Sequence, residues 1–524
     1  MTCRAVAPDA RARLNTDGTL THHDVDAAVL GSGAAGCAAA SVLVRTGHTV
    51  ALIAPGDPPA ADLAVSIPPS AARILSELGF SDALLGARFQ PNTGNTVWWA
   101  GGPARTEAFA GGAGVHIDRR SLERALIPEV DRRGARRISG RVRGAERTAD
   151  GWLIQCDVGD DRRSLTARCV VDATGRQGVL TRTHLGRSTD ADTTTLAIIR
   201  RYEAEDGWAD QDGRTWIESH ANGWVWSLPL SRTVRCVTVM LDQRTVDIDG
   251  DLAQLFSEQL ARAPHIEEQL VSARPTGSPW ACPASLYHSD RYATDGLVAA
   301  GDAGAFIDPL SSYGVKKALS SGWLAGITAH TLLSDPEMSE QALAFFDARE
   351  RTVYARYRAA SAPFFRAAAE AYGTRYWMER AEAADRAGRT VADRVPDGGT
   401  ANHFDPDRLE PEIGEAAIRA AFEALKARDR LDSVPGATCR EVTQPAIEGY
   451  RIVRQQQLAS DMAPEGLRFV RDVDLIQLRD VVAASGTVPE SWDAYNRAAP
   501  AVSLPDFLTA LSTAFAAGFL DLEP

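Results

Sequence analysis

Three glycines between two apolar segments constrain the fold of this chain more than any other feature. Gly31, Gly33 and Gly36 follow the apolar run 27–30 with G-x-G-x-x-G spacing, and a second apolar run covers 49–53. In such a unit the first glycine allows a tight turn, and the second leaves room for a pyrophosphate. The third lets a helix pack closely on the first strand. The segment therefore predicts a β-α-β unit that binds a dinucleotide.

A helix predicted over 34–45 joins the two strands, and its free N–H groups would face the phosphates, with Ala35 in its first turn. The acidic residue that binds a ribose hydroxyl group usually ends the second strand of such a unit. Ala54 and Pro55 stand at this place, and Asp57 follows slightly later. Asp57 is therefore the candidate for the ribose contact.

Two later motifs bring small and acidic residues to the ends of predicted strands. Asp172-Ala-Thr-Gly175 follows one apolar run, and Gly301-Asp302 follows another, with a helix predicted to begin near Gly314. A carboxylate at this place can reach the ribityl or pyrophosphate region of a flavin nucleotide. The positive N-terminus of the helix can face the electron-rich edge of the flavin ring. The three motifs in this order favour a flavin as the dinucleotide.

Composition limits the class of protein. The 524 residues are 44% hydrophobic, which is enough for a sizeable core in two to four domains. The net charge is −13 and the basic residues form no block, which disfavours nucleic acid and anionic membranes as partners. The seven cysteines are dispersed, so we expect reduced thiols in the cytoplasm and no zinc site. We expect neither a signal peptide nor a transmembrane helix.

The chain is predicted to have four parts. Residues 1–24 read as a flexible leader, and 25–337 as the FAD-binding and substrate domain, with an antiparallel sheet inserted at about 192–290 as the floor of a substrate pocket. A helical segment with an aromatic stripe and a linker fill 338–412. Two strands and three amphipathic helices in 413–524 suit a small winged-helix-like unit. Such a unit could bind a peptide, mediate dimerisation or brace the catalytic part, and the lack of basic clusters disfavours DNA.

The three motifs together resemble the FAD-dependent monooxygenase fold shared with para-hydroxybenzoate hydroxylase, over roughly residues 25–380. The resemblance implies an α/β fold with an FAD-binding, Rossmann-like domain. Trp224-Val-Trp226-Ser-Leu-Pro is similar to the Trp-x-Trp-x-Ile-Pro signature of flavin-dependent halogenases. Residues 306–315 are similar to the flavin strap of the same enzymes. The chain is therefore identified as a member of the halogenase-like branch, in which the two tryptophans are thought to keep substrate from the flavin. Alternating aromatic residues on a strand can also simply pack.

Two positions depart from the halogenase pattern. Halogenases carry a lysine that contacts hypohalous acid. Asn92 stands at the matching place in Phe89-Gln-Pro-Asn-Thr-Gly. An amide can neither form a haloamine as an amine does nor donate as an ammonium group. Tryptophan halogenases carry a glutamate in the strap, where this chain has Ser311. Lys316 and Lys317 follow the strap on a predicted helix and are not equivalents of the missing lysine.

A second subgroup matches these departures better. Ser66-Ile-Pro-Pro-Ser, the stretch 308–319 and Tyr376-Trp377 resemble halogenase-related monooxygenases that mature quinone-cofactor proteins. Those enzymes hydroxylate a tryptophan held in a peptide or protein. The resemblance implies a monooxygenase that hydroxylates an activated aromatic ring, an indole above all, through a flavin C4a-hydroperoxide. The chemistry of that step belongs to the cofactor.

The resemblance also implies which residues form the site. Non-covalently bound FAD would be held by Gly31, Gly33, Ala35, Gly36, Asp57, Arg119, Asp172, Gly175, Gly301, Asp302, Pro309, Ser312, Gly314 and Val315. The catalytic and pocket candidates are Asn92, Glu218, His220, Trp224, Trp226 and Ser311. His220 is either a general base or a hydrogen-bonded structural residue. Because the chain has no second G-x-G-x-x-G, we expect the reduced flavin that reacts with O₂ to come from NAD(P)H through a separate flavin reductase.

Two alternatives stay open. The chain could be a halogenase of an aromatic substrate that uses an unusual lysine or none, and a chloride-dependent product would identify it. It could also be a non-catalytic protein that binds flavin or peptide, in which case reduced nicotinamide and a reductase would drive no O₂ consumption.

Overall fold

In the computed structural model the chain divides into two compact units, residues 1–388 and 389–524. The structure describes residues 13–14, 20–21, 23–56, 63–86, 89–109, 112–189, 193–208, 213–246, 250–392 and 413–522. Asp57 and the linker predicted after residue 392 lie outside the described residues, as do most of residues 1–24.

The strands up to residue 306, in chain order, are β1 (Arg13–Leu14), β2 (Leu20–Thr21), β3 (Val25–Leu30), β4 (Val50–Ala54), β5 (Ala64–Ile67), β6 (Gln90–Asn92), β7 (Gly94–Trp98), β8 (Arg105–Ala108), β9 (Gly114–Asp118), β10 (Arg136–Ser139), β11 (Arg141–Arg147), β12 (Trp152–Val158), β13 (Asp161–Asp172), β14 (Ser188–Thr189), β15 (Leu196–Glu203), β16 (Thr215–His220), β17 (Gly223–Pro229), β18 (Val234–Leu241), β19 (Arg274–Pro283), β20 (Tyr287–His288), β21 (Ala293–Thr294), β22 (Leu297–Ala299) and β23 (Ala305–Phe306). The helices up to residue 392 are α1 (Ala34–Arg45), α2 (Ala72–Glu77), α3 (Ser81–Gly86), α4 (Arg119–Arg132), α5 (Leu252–Leu260), α6 (Pro264–Gln269), α7 (Gly314–Ser334), α8 (Ser339–Tyr372) and α9 (Arg375–Ala392).

A parallel sheet forms the centre of the first unit. Its parallel strands run in the order β10-β4-β3-β13-β22. β12 extends the sheet by antiparallel pairing with β13, and β11 pairs in turn with β12. β4 is buried along its whole length, as an apolar strand covered on both faces should be. The last residues of three strands are level, because Asp172 pairs with both Leu30 and Ala299. The loops that follow β3, β13 and β22 therefore leave the sheet side by side.

Helices α1 and α7 pack against each other unusually closely. A Cβ atom on Gly322 of α7 would lie 2.2 Å from the Ala35 carbonyl oxygen of α1, and one on Gly326 would lie 2.7 Å from the Val42 Cβ. Glycine at these two places lets the two backbones approach, and the α1 residues nearest to them include Ala35 and Ala39. The predicted helix over 34–45 and the predicted helix beginning near Gly314 are both confirmed.

The inserted antiparallel sheet is confirmed, and the strands β15 to β19, which lie between residues 192 and 290, belong to it. Its order is β19-β15-β18-β17-β16-β7-β8, with β7 parallel to β16. One face packs with Trp224, Trp226 and residues of α8 and α9 such as Phe365 and Trp377. The opposite face is covered by α5 and α6. The aromatic stripe predicted between 338 and 390 is thus largely packing material between the helices and this sheet.

The second unit contains the three helices predicted near the C-terminus. Its helices are α10 (Glu415–Lys426), α11 (Leu475–Ala483), α12 (Val488–Ala498) and α13 (Leu504–Ala516), and its strands are β24 (Ser433–Pro435), β25 (Arg440–Glu448), β26 (Arg451–Ala459), β27 (Phe469–Val470), β28 (Val473–Asp474) and β29 (Leu520–Leu522). One of the two strands predicted in 413–524 is β26, and the other is limited to the two residues of β27. The partner of β26 is β25, which the sequence did not reveal because none of its residues is buried and no apolar alternation marks it.

No helix among the described residues is long and apolar enough to cross a membrane.

The turn between β3 and α1 gives a direct test of the fold. Gly36→Ala would place a Cβ 1.8 Å from the Gly31 carbonyl oxygen, a rigid backbone atom. We expect this variant to lose about 1–3 kcal/mol of unfolding free energy, despite the higher helix propensity of alanine. The measurement is urea unfolding of the protein without added cofactor. The matched control is Gly144→Ala, since nothing lies within 4 Å of a Cβ built there, and it should change stability by less than about 0.5 kcal/mol. Equal stability of the two variants would contradict the packing described.

Candidate functional site

Three glycine-containing loops meet at the carboxyl ends of the parallel strands, which is where open α/β sheets bind their ligands. Gly31, Gly175 and Gly301 all have positive φ angles, of 101°, 63° and 62°. A Cβ on Gly31 would lie 2.3 Å from the Ala173 carbonyl oxygen, so glycine is needed there for the loops to meet. The Ala173 N–H donates to the Leu30 carbonyl (2.9 Å), which joins the first loop to the second.

Gly33 differs from its neighbours, because the protein itself leaves room beside it. It caps the N-terminus of α1, and the nearest atoms to a Cβ built there are the Arg119 Nη2 at 3.5 Å and the Glu123 Oε1 at 3.8 Å. A Cβ on Gly175 would lie 3.6 Å from the same Arg119 nitrogen. The Arg119 side chain is 47% exposed and bonds Glu123 at 3.3 Å. A guanidinium beside a helix N-terminus suits a pyrophosphate.

Asp172 shapes the second loop with its carboxylate. Both oxygens are buried and accept five hydrogen bonds, from the backbone and hydroxyl of Thr174, the backbone of Leu180, and the backbone and hydroxyl of Thr181, over 2.6–3.0 Å. Asp172 was predicted as a cofactor-binding residue. With its carboxylate engaged in this way, it positions the loop that carries Gly175 and offers no free oxygen to a ligand.

Asp302 presents a more accessible carboxylate at the end of β22. Its side chain is 28% exposed, and the Lys317 ammonium group lies 4.0 Å behind it. Lys317 is buried and donates to the Gly301 carbonyl at 2.8 Å and to the Ala305 carbonyl. The Tyr287 hydroxyl donates to the Asp302 carbonyl at 2.6 Å. Asp302 therefore has an accessible carboxylate that can accept a hydrogen bond from a ligand hydroxyl group.

The strap segment, residues 306–315, connects the parallel sheet to α7. It contains a 3-10 turn, Pro309–Ser311, in which the Ser311 hydroxyl donates to the Asp308 carbonyl at 2.9 Å. Ser312 has a φ of 55°, and α7 then begins at Gly314 with Val315 in its first turn. Nothing lies within 4 Å of a Cβ built on Gly314. The helix N-terminus is therefore open to a ligand edge, while the Ser311 hydroxyl closes the turn.

Trp224 and Trp226 lie on one face of the antiparallel sheet, which we call the tryptophan face. They are 3% and 8% exposed, and their ring centroids are 6.2 Å apart. Phe306 and Leu310 of the strap segment pack against the same cluster. The tryptophans thus stand next to the strap.

Glu218 and His220 are directed to the opposite face of the sheet, and the prediction that placed them in the same pocket is wrong. Residues directly opposite each other in antiparallel strands share a face, and Trp224 and Trp226 pair with Ser219 and Ile217. Glu218 accepts hydrogen bonds from the His265 ring (2.6 Å) and backbone at the start of α6. The two-residue turn between β16 and β17 fixes this register and could have revealed it from the sequence.

His220 is a buried structural residue. Burial, with a smaller effect of Arg262, lowers the pKa of its imidazole to about 4. Its Nδ1 accepts a hydrogen bond from the Asn222 N–H at 3.3 Å, and its carbonyl oxygen accepts one from the Trp377 indole at 2.8 Å. The structural interpretation of His220 therefore replaces the general base.

Asn92 lies where two sheets meet. It is buried at the end of β6, which pairs with β9 in a three-stranded sheet, and its Oδ1 accepts a hydrogen bond from the Gly94 N–H at 3.2 Å. β7 begins at Gly94 and carries Val97 into the cluster of the tryptophan face. The amide is thus fixed in the turn that leads into that sheet.

Other residues at the site could not be found from motifs. The Tyr372 hydroxyl donates to the Ser219 carbonyl at 2.9 Å, so the end of α8 is bonded to the strand that pairs with the tryptophans. The Arg176 guanidinium lies 4.9 Å from the centroid of the Phe306 ring and 3.5 Å from the Cys282 sulfur. These contacts join segments more than 100 residues apart, and no local pattern in the sequence marks them.

A loop cluster of this kind, with a strap beside an aromatic sheet, is the arrangement of FAD-dependent oxidoreductases that have a Rossmann-like domain. The family model described as tryptophan halogenase matches residues 104–396, more than half of the chain. The chain therefore belongs to the tryptophan halogenase family, within the halogenase-like FAD-dependent enzymes that its motifs resemble.

Curated relatives include halogenases and another flavoprotein. The flavin-dependent halogenase armH3 of Armillaria mellea is 25% identical over 371 residues, which cover 63% of this chain and 72% of that protein. The 1H-pyrrole-2-carbonyl-[peptidyl-carrier protein] chlorinase of Pseudomonas fluorescens is 25% identical over 341 residues, 58% of this chain and 76% of its own. The putative FAD-dependent oxidoreductase LodB of Marinomonas mediterranea is 26% identical over 365 residues, 68% of this chain and 96% of its own.

Two solved structures share the fold over nearly the whole chain. The flavin-dependent halogenase CmlS superposes with a TM-score of 0.70 at 19% identity, covering 95% of both chains. The peptidyl tryptophan dihydroxylase QhpG superposes with a TM-score of 0.65 at 22% identity, covering 94% of this chain and 99% of its own. The predicted fold class is confirmed.

The space beside Gly33 predicts a variant that separates ligand binding from folding. Gly33→Ala adds a Cβ at ordinary contact distance from Arg119, so its unfolding free energy should stay within about 0.5 kcal/mol of the parent. The same Cβ intrudes on the approach of a pyrophosphate, so FAD affinity should fall about tenfold or more. Flavin fluorescence titration measures the affinity, and urea unfolding measures the stability. Unchanged FAD affinity would contradict the assignment of this helix N-terminus.

The burial of His220 predicts an acid-sensitive stability. Its pKa is lowered from 6.5 to about 4 in the folded chain, so protonation favours the unfolded state. This residue's contribution is fully present above pH 6.5 and is lost as pH falls toward 4. The loss should reach about 3 kcal/mol. In His220→Asn, the decline in urea-unfolding free energy over that pH range should be smaller by that amount. Burial also lowers the pKa of His116, to about 3. Its effect on the unfolding free energy is the same in the parent and in His220→Asn, so it does not alter the difference between them. Parallel pH profiles of the two proteins would contradict the buried neutral imidazole.

Proposed function

We propose that this chain is an FAD-dependent monooxygenase that hydroxylates an activated aromatic substrate, with an indole as the reacting group. The observation that carries the proposal is the absence of a usable lysine on the tryptophan side of the site. The whole chain has three lysines, Lys316, Lys317 and Lys426. The position that matches the halogenase lysine holds Asn92, and its amide is fixed by the Gly94 N–H.

The two lysines near the site have other surroundings. Lys317 is buried and donates to two backbone carbonyls behind Asp302. Lys316 is buried beside the Tyr313 ring, with its ammonium nitrogen 5.5 Å from the ring centroid. Lys426 belongs to α10 of the second unit. Halogenation needs a lysine amine beside the substrate ring, and in the first unit both lysines have these other surroundings. Hydroxylation needs no such lysine.

The described residues fit FAD. The α1 N-terminus, Gly33 and Arg119 would hold the pyrophosphate, Asp302 would accept from a hydroxyl group of the ribityl chain, and Pro309 to Gly314 would border the ring. Bound reduced FAD would supply two electrons and activate O₂. Hydroxylation of a ring carbon consumes one O₂, two electrons and two protons, places one oxygen atom on the ring and releases the other as water. The protein's part is to orient the ring and exclude water.

The aromatic surroundings support an indole as the substrate group. Trp224, Trp226, Phe306 and Trp99 belong to one aromatic cluster at or near the strap, and stacked or edge-to-face contacts between such a cluster and another aromatic ring are favourable. QhpG is described as a peptidyl tryptophan dihydroxylase, and the Pseudomonas fluorescens relative is named for a substrate held on a peptidyl-carrier protein. By analogy, we infer a tryptophan presented on a peptide. Reduced flavin would come from a separate reductase.

Halogenation is the second candidate, and the family match favours it. The family model and most of the relatives are described as halogenases. In that reaction one O₂, two electrons, three protons and a halide ion are consumed, both oxygen atoms leave as water, and a halogen replaces a hydrogen of the ring. The halide requirement therefore distinguishes the two candidates.

The test is a product assay with the full chain. The protein with FAD, a flavin reductase, NADH and O₂ is incubated with an indole-bearing peptide or free tryptophan, with and without chloride or bromide, and products are read by mass spectrometry. We expect a gain of one or more oxygen atoms in every halide condition. A halogen in the product would support the second candidate instead. Gly33→Val, which should retain no FAD, is the control for flavin dependence.

Asn92→Lys tests whether the missing lysine alone separates this chain from halogenases. If the pocket is otherwise competent, this variant should form a halogenated product with bromide or chloride while the parent forms none. Asn92→Gln, which keeps the amide and lengthens the side chain, is the matched control and should form none. Halogenated product from the parent chain would contradict the lysine argument.

A further inference from the structure

A small cavity lies behind the strap segment, on the side of α8 and α9. Its volume is 20 Å³, which is room for about one water molecule. Its polar lining comes from three separate parts of the chain: the strap, the segment before β15 and the two long helices. The lining side chains with polar atoms are Thr193, Thr195, Asp308, Arg358, Ser361 and Arg380.

Asp308 is the strap's contribution to this cavity. Its carboxylate accepts a hydrogen bond from the Leu310 N–H at 2.9 Å, and so caps the turn Pro309–Ser311. Burial raises the pKa of this carboxyl, while the Leu310 N–H and Arg380 oppose the rise. The capping oxygen thus sets the shape of the strap from behind, and Arg380 of α9 favours the charged form of this carboxyl.

Arg380 faces the cavity from α9. It is 4% exposed, and it donates to the Tyr376 carbonyl (3.0 Å), the Thr194 carbonyl (3.2 Å) and the Thr195 hydroxyl (2.6 Å). Its guanidinium also lies 3.6 Å from the centroid of the Tyr376 ring. These contacts fix the guanidinium rigidly. A buried cation of this kind needs a compensating anion, and Asp308 is the acidic side chain that lines the cavity with it.

We propose that Asp308 and Arg380 act together as positioning residues that hold the strap in a fixed position against α9. The inference rests on the proposed function, because it assumes that FAD lies against the strap. The pair spans the small cavity, where a water molecule can join the two side chains. Neither residue touches the flavin; each acts through the backbone of Pro309–Ser312.

The position of the strap against α9 also fixes its position relative to the tryptophan face. Residues adjacent to Arg380 on α9 belong to that face: Trp377 is fully buried in the same cluster as Trp224 and Trp226, and its ring stands edge-on to Trp99 at 5.3 Å. A strap held to α9 is therefore held to the surface that would receive the substrate ring. Loss of the pair should loosen the strap while the sheet stays intact.

The test uses Asp308→Asn, which keeps a capping oxygen and removes the charge, Arg380→Gln, and the double variant, all in the full chain. Arg375→Gln is the matched control, since it lies on the same helix, is 78% exposed and pairs only at the surface with Glu379. Three quantities are measured: the FAD dissociation constant by flavin fluorescence, the H₂O₂ released per reduced flavin consumed, and the thermal midpoint.

We expect each single variant to bind FAD about tenfold more weakly and to release more H₂O₂. The double variant should bind FAD no more weakly than either single variant, because the effects of coupled residues are not additive. Arg375→Gln should stay within about twofold of the parent. Arg380→Lys should restore part of the FAD affinity. If either single variant does not fold, Arg380→Lys and Asp308→Glu replace it.

Three results would overturn the inference. These are a lowered thermal midpoint with unchanged FAD affinity and H₂O₂ release, additive effects in the double variant, or equal effects of Arg375→Gln. A parent protein that binds no FAD at all would overturn the proposed function first, and is recognised before any variant is compared.

Discussion

The level ends of β3, β13 and β22 are the constraint on which the rest of this molecule depends. Asp172 pairs with Leu30 on one side and with Ala299 on the other, so three loops from distant parts of the chain leave the sheet at one height. The five hydrogen bonds to the Asp172 carboxylate fix the middle loop, and glycine at position 31 lets the first loop reach it. A one-residue slip of any of these strands would separate the parts of the dinucleotide site.

Much of this could be predicted from the sequence, because the features involved are local. The glycine spacing, the helix after it and the antiparallel strands β15 to β18 of the inserted sheet follow from patterns within a few residues. The sequence could not distinguish the glycines by role. Gly31 and Gly36 are required by backbone atoms of the protein, whereas a Cβ on Gly33 would meet only two side-chain atoms at ordinary contact distance. Only the packed structure separates these two reasons for the same residue type.

The remaining wrong assignments have a common physical cause, which is the face of the sheet to which each side chain points. Glu218 and His220 are polar residues on a strand next to the tryptophans, and proximity along the chain suggested one pocket. Alternation along β16 sends them to the other side of the sheet, where Glu218 bonds the start of α6. The residues that do reach the tryptophan face, such as Tyr372 and Trp377, come from helices about 150 positions later. Their approach depends on tertiary packing, which leaves no local pattern in the sequence.

The central claim is that FAD lies with its pyrophosphate between Gly33 and Arg119 and its ring against the strap segment, beside the tryptophan face. The most direct measurement is a crystal structure of the full chain with bound FAD. We expect the phosphates within hydrogen-bond distance of the first N–H groups of α1 and the ring bordered by Pro309 to Gly314. An FAD bound elsewhere, or a ring separated from the strap by the width of a side chain or more, would contradict it.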